Sequence, residues 1–162
     1  MANVVDPRDL HRICLTAIVY NDAGKYLITK RSPDHHTFPG KWEVPGGGVE
    51  LKDYIDIPKT TDTAWYRVLE NSLKREVREE VNLEIDQIEY LLDLTFIRPD
   101  GIPVLVLSYF AHTRGGEVVL EEGGATEYAW VTLEEAKGYD LIGGILEEIE
   151  EADKIIRSRK NK

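Results

Sequence analysis

Gly46-Gly47-Gly48-Val49-Glu50 and, further on, Leu73-Lys74-Arg75-Glu76-Val77-Arg78-Glu79-Glu80-Val81-Asn82-Leu83 bound the stretch that decides how this chain folds. The second segment has helical periodicity. Leu69, Leu73, Val77 and Val81 recur every fourth residue and form one apolar stripe. At about 100° per residue, Glu80 falls about 20° from Leu73, and Glu76 about 60° away on the same side. Two carboxylates therefore lie in or beside the face the helix buries. They are one turn apart, and Glu79 is three residues from Glu76, so like charges stack and repel. Burying unpaired carboxylates is costly, and a shared divalent cation relieves that cost. A hard ion such as Mg²⁺ (or Mn²⁺) takes oxygen ligands and keeps waters that a phosphate can replace. The plainer reading is a solvated Glu/Arg face laced with ion pairs. The position of the acids on the stripe and the glycines before it weigh for metal.

Gly47-x5-Asp53 followed by Arg75-Glu76-Val77-x-Glu79-Glu80-x-Asn82-Leu83 resembles the Nudix box of the Nudix hydrolases. That box is a glycine, five residues, a glutamate, seven residues, then Arg-Glu-apolar-x-Glu-Glu-x-Gly-apolar. The second half matches closely. In the first half Asp53 stands where the family has glutamate, and 21 residues separate it from Arg75 in place of seven. This is a 14-residue insertion. Asn82 replaces the last glycine, a mild change because Asn also suits a left-handed helix C-cap.

The resemblance implies an α/β fold, the Nudix α/β/α sandwich with a mixed sheet, as one domain over residues 1–162. It implies a divalent-metal-dependent pyrophosphohydrolase that cleaves a nucleoside diphosphate linked to another group. Glu76, Glu79 and Glu80 are then the metal-site carboxylates, with the Gly46 carbonyl a further candidate ligand. Glu76 or Glu79 is a candidate proton acceptor, and Arg75 orients Glu76 through a charge-assisted bond. Gly47 and Gly48 let the backbone approach substrate because no Cβ blocks it. Arg31 matches a basic position that contacts phosphates in similar enzymes, although a lone strand-end arginine is more often only solvated. Trp42, Phe38 and Tyr109 could stack on a base, but aromatics on strands are usually core. Asp53 could ligate as the family glutamate does, Glu50 either braces the turn or ligates through water, and similar enzymes often bring one late acid to the metals, for which Glu121, Glu122 and Glu127 are the candidates. His35 and His36 read as solvent-exposed.

Composition agrees. The chain has 162 residues, 42% of them hydrophobic, which suits one folded domain. A net charge of −10 disfavours a nucleic-acid polymer as partner and favours a small nucleotide reached through cations. The lone Cys14 forms no internal disulfide and points to a reducing compartment, so the expected location is cytoplasmic. No stretch approaches the ~20 apolar residues of a membrane helix, and residues 1–12 lack a signal-peptide core.

Outward from the box, strands are expected at 13–20, 25–30 and 41–44, the last delivering a glycine turn at 45–50. Residues 51–62 form the insert, where Pro58 opposes a helix. A helix at 63–81 follows, capped by Thr61 or Asp62. Further strands are expected at 90–97, 102–112, 117–120 and 127–131. A short helix at 133–137 is capped by Thr132, and a terminal helix spans 141–159. The insert reads as a lid or a homodimer contact. Within the hydrolase reading, the strand at 41–45 favours (deoxy)nucleoside triphosphates. Pro99, sixteen residues after Leu83, is the mark of the alternative, an ADP-ribose or nucleotide-sugar pyrophosphatase. A non-catalytic nucleotide sensor is the third reading, favoured by Asp53 and the insert.

Overall fold

A computed structural model describes residue 6 and residues 10–160. Residues 1–5, 7–9 and 161–162 lie outside the described residues. The strands are β1 (Arg12–Tyr20), β2 (Tyr26–Arg31), β3 (Trp42–Glu43), β4 (Gly46–Gly48), β5 (Asp86–Ile97), β6 (Pro103–His112) and β7 (Ala125–Val131). They form one sheet of order β3-β2-β1-β6-β5, with β4 on β1 and β7 on β2. β1 and β6 run parallel along their whole length, and the other pairs are antiparallel, so the sheet is mixed.

Side-chain alternation in β1 assigns each face to a helix. Leu15, Ala17 and Val19 pack with Leu27 against Leu73, Val77 and Val81 of helix α1 (Val68–Val81). Ile18 packs with Tyr26, Ile28 and Phe110 against Ile149, Ala152 and Ile156 of α3 (Ile145–Lys160). The short α2 (Leu133–Ala136) lies between β7 and α3. Two buried clusters on either side of one mixed sheet make an α/β/α sandwich.

The expected stripe on α1 is buried: Leu73, Val77 and Val81 are fully enclosed and Leu69 partly. Asn82 ends the helix in the left-handed conformation, and its N–H returns to the Arg78 carbonyl. Thr132 caps α2 reciprocally: its hydroxyl accepts from Glu135 N at 3.2 Å, and its N–H donates to the Glu135 carboxylate at 2.8 Å.

Four expectations are corrected. The helix starts at Val68 and is preceded by Arg67, not by Thr61 or Asp62. Thr61 spends its hydroxyl locally, accepting from Thr63 N and Ala64 N. The glycine triplet is strand β4, not a turn, and its register is Gly46 to Thr16, Gly47 to Leu15 and Gly48 to Cys14. Residues 117–120 form no strand, because this backbone bonds instead to the end of α1: Val119 N to Val81 O at 3.2 Å and Glu121 N to Glu80 O at 3.0 Å. The terminal helix begins at Ile145. The residues before it pair with β3, through Trp42 N to Asp140 O and Ile142 N to Trp42 O.

Candidate active site

The three glycines serve close approach, not a turn. A Cβ at Gly46 would overlap the Leu15 carbonyl across the ladder, and one at Gly47 would overlap the Glu76 carboxylate. A Cβ at Gly48 would meet the Arg12 guanidinium. β4 is therefore pressed between β1 and α1, and Glu76 lies directly against its backbone. Burial raises the Glu76 carboxyl above its ordinary value. Arg75 offsets part of this, and Glu79 and Glu50 add to it.

Arg75 organises the outer acids. Its Nη2 is 2.9 Å from Glu76 Oε1, and its Nη1 is 2.8 Å from Glu79 Oε2. Nη2 also donates to the Gly48 carbonyl at 3.2 Å, and Nε pairs closely with Asp53 Oδ1. Asp53 answers the question raised by the insertion. Its carboxylate is buried and accepts from Arg75, from Ser72 Oγ at 2.7 Å and from Glu50 N at 2.8 Å. Burial alone would raise this carboxyl, but the Arg75, Glu50 and Ser72 bonds hold it at about 2. Asp53 thus braces Arg75, and the extra residues bulge out beyond it as a self-contained loop. There Trp65 Nε1 donates to the Ile57 carbonyl at 2.8 Å, and Tyr54 packs on Trp65 at 5.3 Å between ring centroids.

Glu80, one turn further along α1, accepts from Gly46 N at 2.9 Å. It lines a cavity with Thr29, Arg31, His35, Glu43, Glu121 and Gly124. Burial pushes its carboxyl up to about 8. The Gly46 bond opposes this, and the Glu43 and Glu76 charges reinforce it. Arg31 is placed in the same cavity, 2.7 Å from Glu43 through Nη2 and bonded through Nη1 to Thr37 and His35. Its Nε is buried without a partner among the described residues.

Sequence reasoning missed Glu43. It is a single acid on a two-residue strand with no fixed spacing to the box, and only the Trp42–Glu43 pairing with β2 brings it beside Arg31 and Glu80. Of the late acids, Glu121 reaches the cavity. Glu127 is 2.7 Å from Lys30 instead. His35 is exposed as expected, yet lines the cavity and bonds Arg31. Trp42 packs edge-on against Tyr139 at 4.8 Å and Tyr109 against Tyr90, so neither lines the cavity.

The donor set suits a hard divalent cation. Glu43, Glu76 and Glu80 all have carboxyls raised first by burial, the condition a cation relieves. Among the described residues, no three acidic, His or Cys side chains are yet gathered around one point. Each α1 acid is instead held by a local partner: Arg75 for Glu76 and Glu79, Gly46 N–H for Glu80.

Comparison with known proteins places this geometry. The NUDIX domain profile matches residues 10–149. The chain is 30% identical over 140 residues to a nucleoside triphosphatase NudI of Klebsiella pneumoniae, covering 80% of this chain and 88% of that protein. Two solved structures share the fold. A MutT protein of Methanosarcina mazei aligns with a TM-score of 0.66 at 24% identity, covering 94% of this chain and 96% of the other. The NUDIX domain of Shewanella oneidensis NrtR, solved in complex with ADP ribose, aligns with a TM-score of 0.69 at 22% identity and 94% coverage of both. A glycine strand against an Arg-Glu-x-x-Glu-Glu helix, in a mixed-sheet sandwich with these relatives, shows that the chain belongs to the Nudix hydrolase family, whose members act on phosphoric anhydride bonds.

Proposed function

We propose that the chain is a Mg²⁺- or Mn²⁺-dependent pyrophosphohydrolase acting on nucleoside triphosphates. The observation that carries this reading is Glu76 held between Arg75 and the Gly47 backbone, with Glu79 beside it and Glu80 one turn on, bonded to Gly46. Glu76, Glu79 and Glu80 would hold the ion, with the Gly46 carbonyl as a further ligand. When bound, the ion lowers the pKa of a coordinated water and neutralises phosphate oxygens. Arg75 orients Glu76 and Glu79, and Asp53 keeps Arg75 from turning to solvent. Glu76 or Glu79 takes the proton of the attacking water. Arg31 offers its guanidinium to a phosphate oxygen at the cavity wall. The absent Cβ atoms at Gly47 and Gly48 leave room for the Glu76 carboxylate and the Arg12 guanidinium against the strand.

The choice of triphosphates rests on the relatives named nucleoside triphosphatases. Pro99, the mark of the ADP-ribose reading, sits in a turn closed by Gly101 N to Arg98 O at 2.8 Å, where proline needs no functional reason. The sensor reading loses its support in Asp53, because that residue is tied into the Arg75 network in spite of the insertion. The test is a panel of nucleoside and deoxynucleoside triphosphates, ADP-ribose and nucleotide sugars, incubated with Mg²⁺ and followed by ³¹P NMR. The expected result is nucleoside monophosphate and pyrophosphate from triphosphates. Cleavage of ADP-ribose or nucleotide sugars alone, or of nothing, would overturn the proposal.

A further inference from the structure

Lys52 has no place in the mechanism above, yet it sits on the rim of the site. It is the middle residue of a one-turn 3₁₀ helix, Leu51–Asp53, whose last residue is locked to Arg75 and Ser72. The Lys52 backbone is therefore held, while its side chain is 54% exposed. Its ammonium lies 3.2 Å from Glu50 Oε2 and 3.8 Å from Glu79 Oε1. The other Glu79 oxygen takes Arg75 Nη1. Two cations thus neutralise the outer carboxylates from opposite sides, and they differ in freedom. Arg75 is bonded to Asp53, Gly48 O, Glu76 and Glu79 and cannot leave. Lys52 has only exposed contacts, which hold a flexible ammonium weakly.

We propose that Lys52 is a displaceable counter-ion of the site. It neutralises Glu50 and Glu79 while no divalent cation is bound, and moves to a phosphate oxygen of the nucleotide once the cation has taken the carboxylates. An ammonium and a divalent ion cannot share Glu79 without repulsion: a unit charge fixed about 4 Å from a divalent ion would weaken its binding roughly thirtyfold even in water, and withdrawal of the flexible ammonium leaves only part of that cost. The freed ammonium remains tethered four residues after Gly48, beside the carboxylates whose cation would gather the phosphates. This rests on the proposed nucleotide hydrolysis for its second half only.

The test uses the full-length protein with Lys52→Met, which keeps the stem and removes the charge, and Lys52→Arg, which keeps a charge. Mn²⁺ affinity is measured by EPR without nucleotide, and KM and kcat with Mg²⁺ and the preferred triphosphate. Lys52→Met should bind Mn²⁺ roughly three- to tenfold more tightly, and its KM should rise about tenfold with kcat changed far less. Lys52→Arg should return both towards the parent. Unchanged or weaker Mn²⁺ binding in Lys52→Met overturns the counter-ion role, and an unchanged KM overturns the phosphate role. If the parent cleaves no nucleotide but binds Mn²⁺, the proposed function fails and the EPR comparison still decides the counter-ion role. A parent that binds no Mn²⁺ sinks both.

Discussion

Asp53→Asn removes one charge from the centre of the Arg75 network and little else. The Asp53 side chain is 1% exposed and Arg75 19%, so water replaces the lost charge poorly. The bonds from Arg75, Glu50 and Ser72 hold the Asp53 carboxyl at about 2, against an ordinary 3.8. That gap is worth about 2.5 kcal/mol. For a chain of this length it lowers Tm by roughly 5–10 °C. The sign follows from the direction. A carboxyl depressed in the folded state contributes stability that is present above its ordinary value and is lost as pH falls through about 2. Urea unfolding of parent and Asp53→Asn should therefore differ by about 2.5 kcal/mol at pH 7 and converge between pH 4 and 2. The variant should also lose turnover, because Arg75 no longer holds Glu76 and Glu79. A variant within about 0.5 kcal/mol of the parent at pH 7, the scatter of ordinary surface substitutions, would refute the bracing role.

Glu80 gives the opposite pH dependence. Its carboxyl is raised to about 8 in the metal-free fold, so its stabilising contribution is complete below about pH 4.5 and is lost as pH rises through 8. Metal-free Glu80→Gln should thus be more stable than the parent at pH 9 by an amount on the order of a few kcal/mol, read from urea midpoints, and lose this advantage at pH 5. Gly47→Ala should keep its circular dichroism spectrum but lose turnover on the order of 10²-fold, because its Cβ displaces the Glu76 carboxylate. Asn82→Ala should cost about 1–2 kcal/mol by forcing alanine into the left-handed cap, while Asn82→Gly costs less, losing only the bond to the Glu117 carbonyl; thermal unfolding separates the two.

What was legible in the chain was what local pattern encodes. The four-residue recurrence of Leu69, Leu73, Val77 and Val81 located α1 and its buried face. Asn82 announced the C-cap of α1, and Thr132 the N-cap of α2. The placement of Glu76 and Glu80 beside that face followed from helix geometry alone. What stayed hidden depended on partners distant in sequence. A Gly triplet reads as a turn, and only the ladder with Leu15 and the Glu76 carboxylate behind it make β4 a strand. Thr61 is a good cap by type, but its hydroxyl closes a turn inside the insert. Val118-Val119-Leu120 reads as a strand by residue type, yet the Val119 and Glu121 N–H groups find the last carbonyls of α1. Glu43 enters the site only through the β2–β3 pairing, and Asp53 reaches Arg75 across an insertion whose path no motif describes.

The central claim is that the α1 carboxylates and the glycine strand form a divalent-cation site. Thermal unfolding of the nucleotide-free protein against Mn²⁺ concentration, for the parent and for Glu76→Gln/Glu80→Gln, tests it most directly. Binding to the folded state alone adds about 2.7 kcal/mol at a hundredfold excess over Kd, which is roughly 5–10 °C in Tm for this chain. The parent should show this climb and the double variant should not. A parent whose Tm is the same with and without millimolar Mn²⁺ would contradict the account.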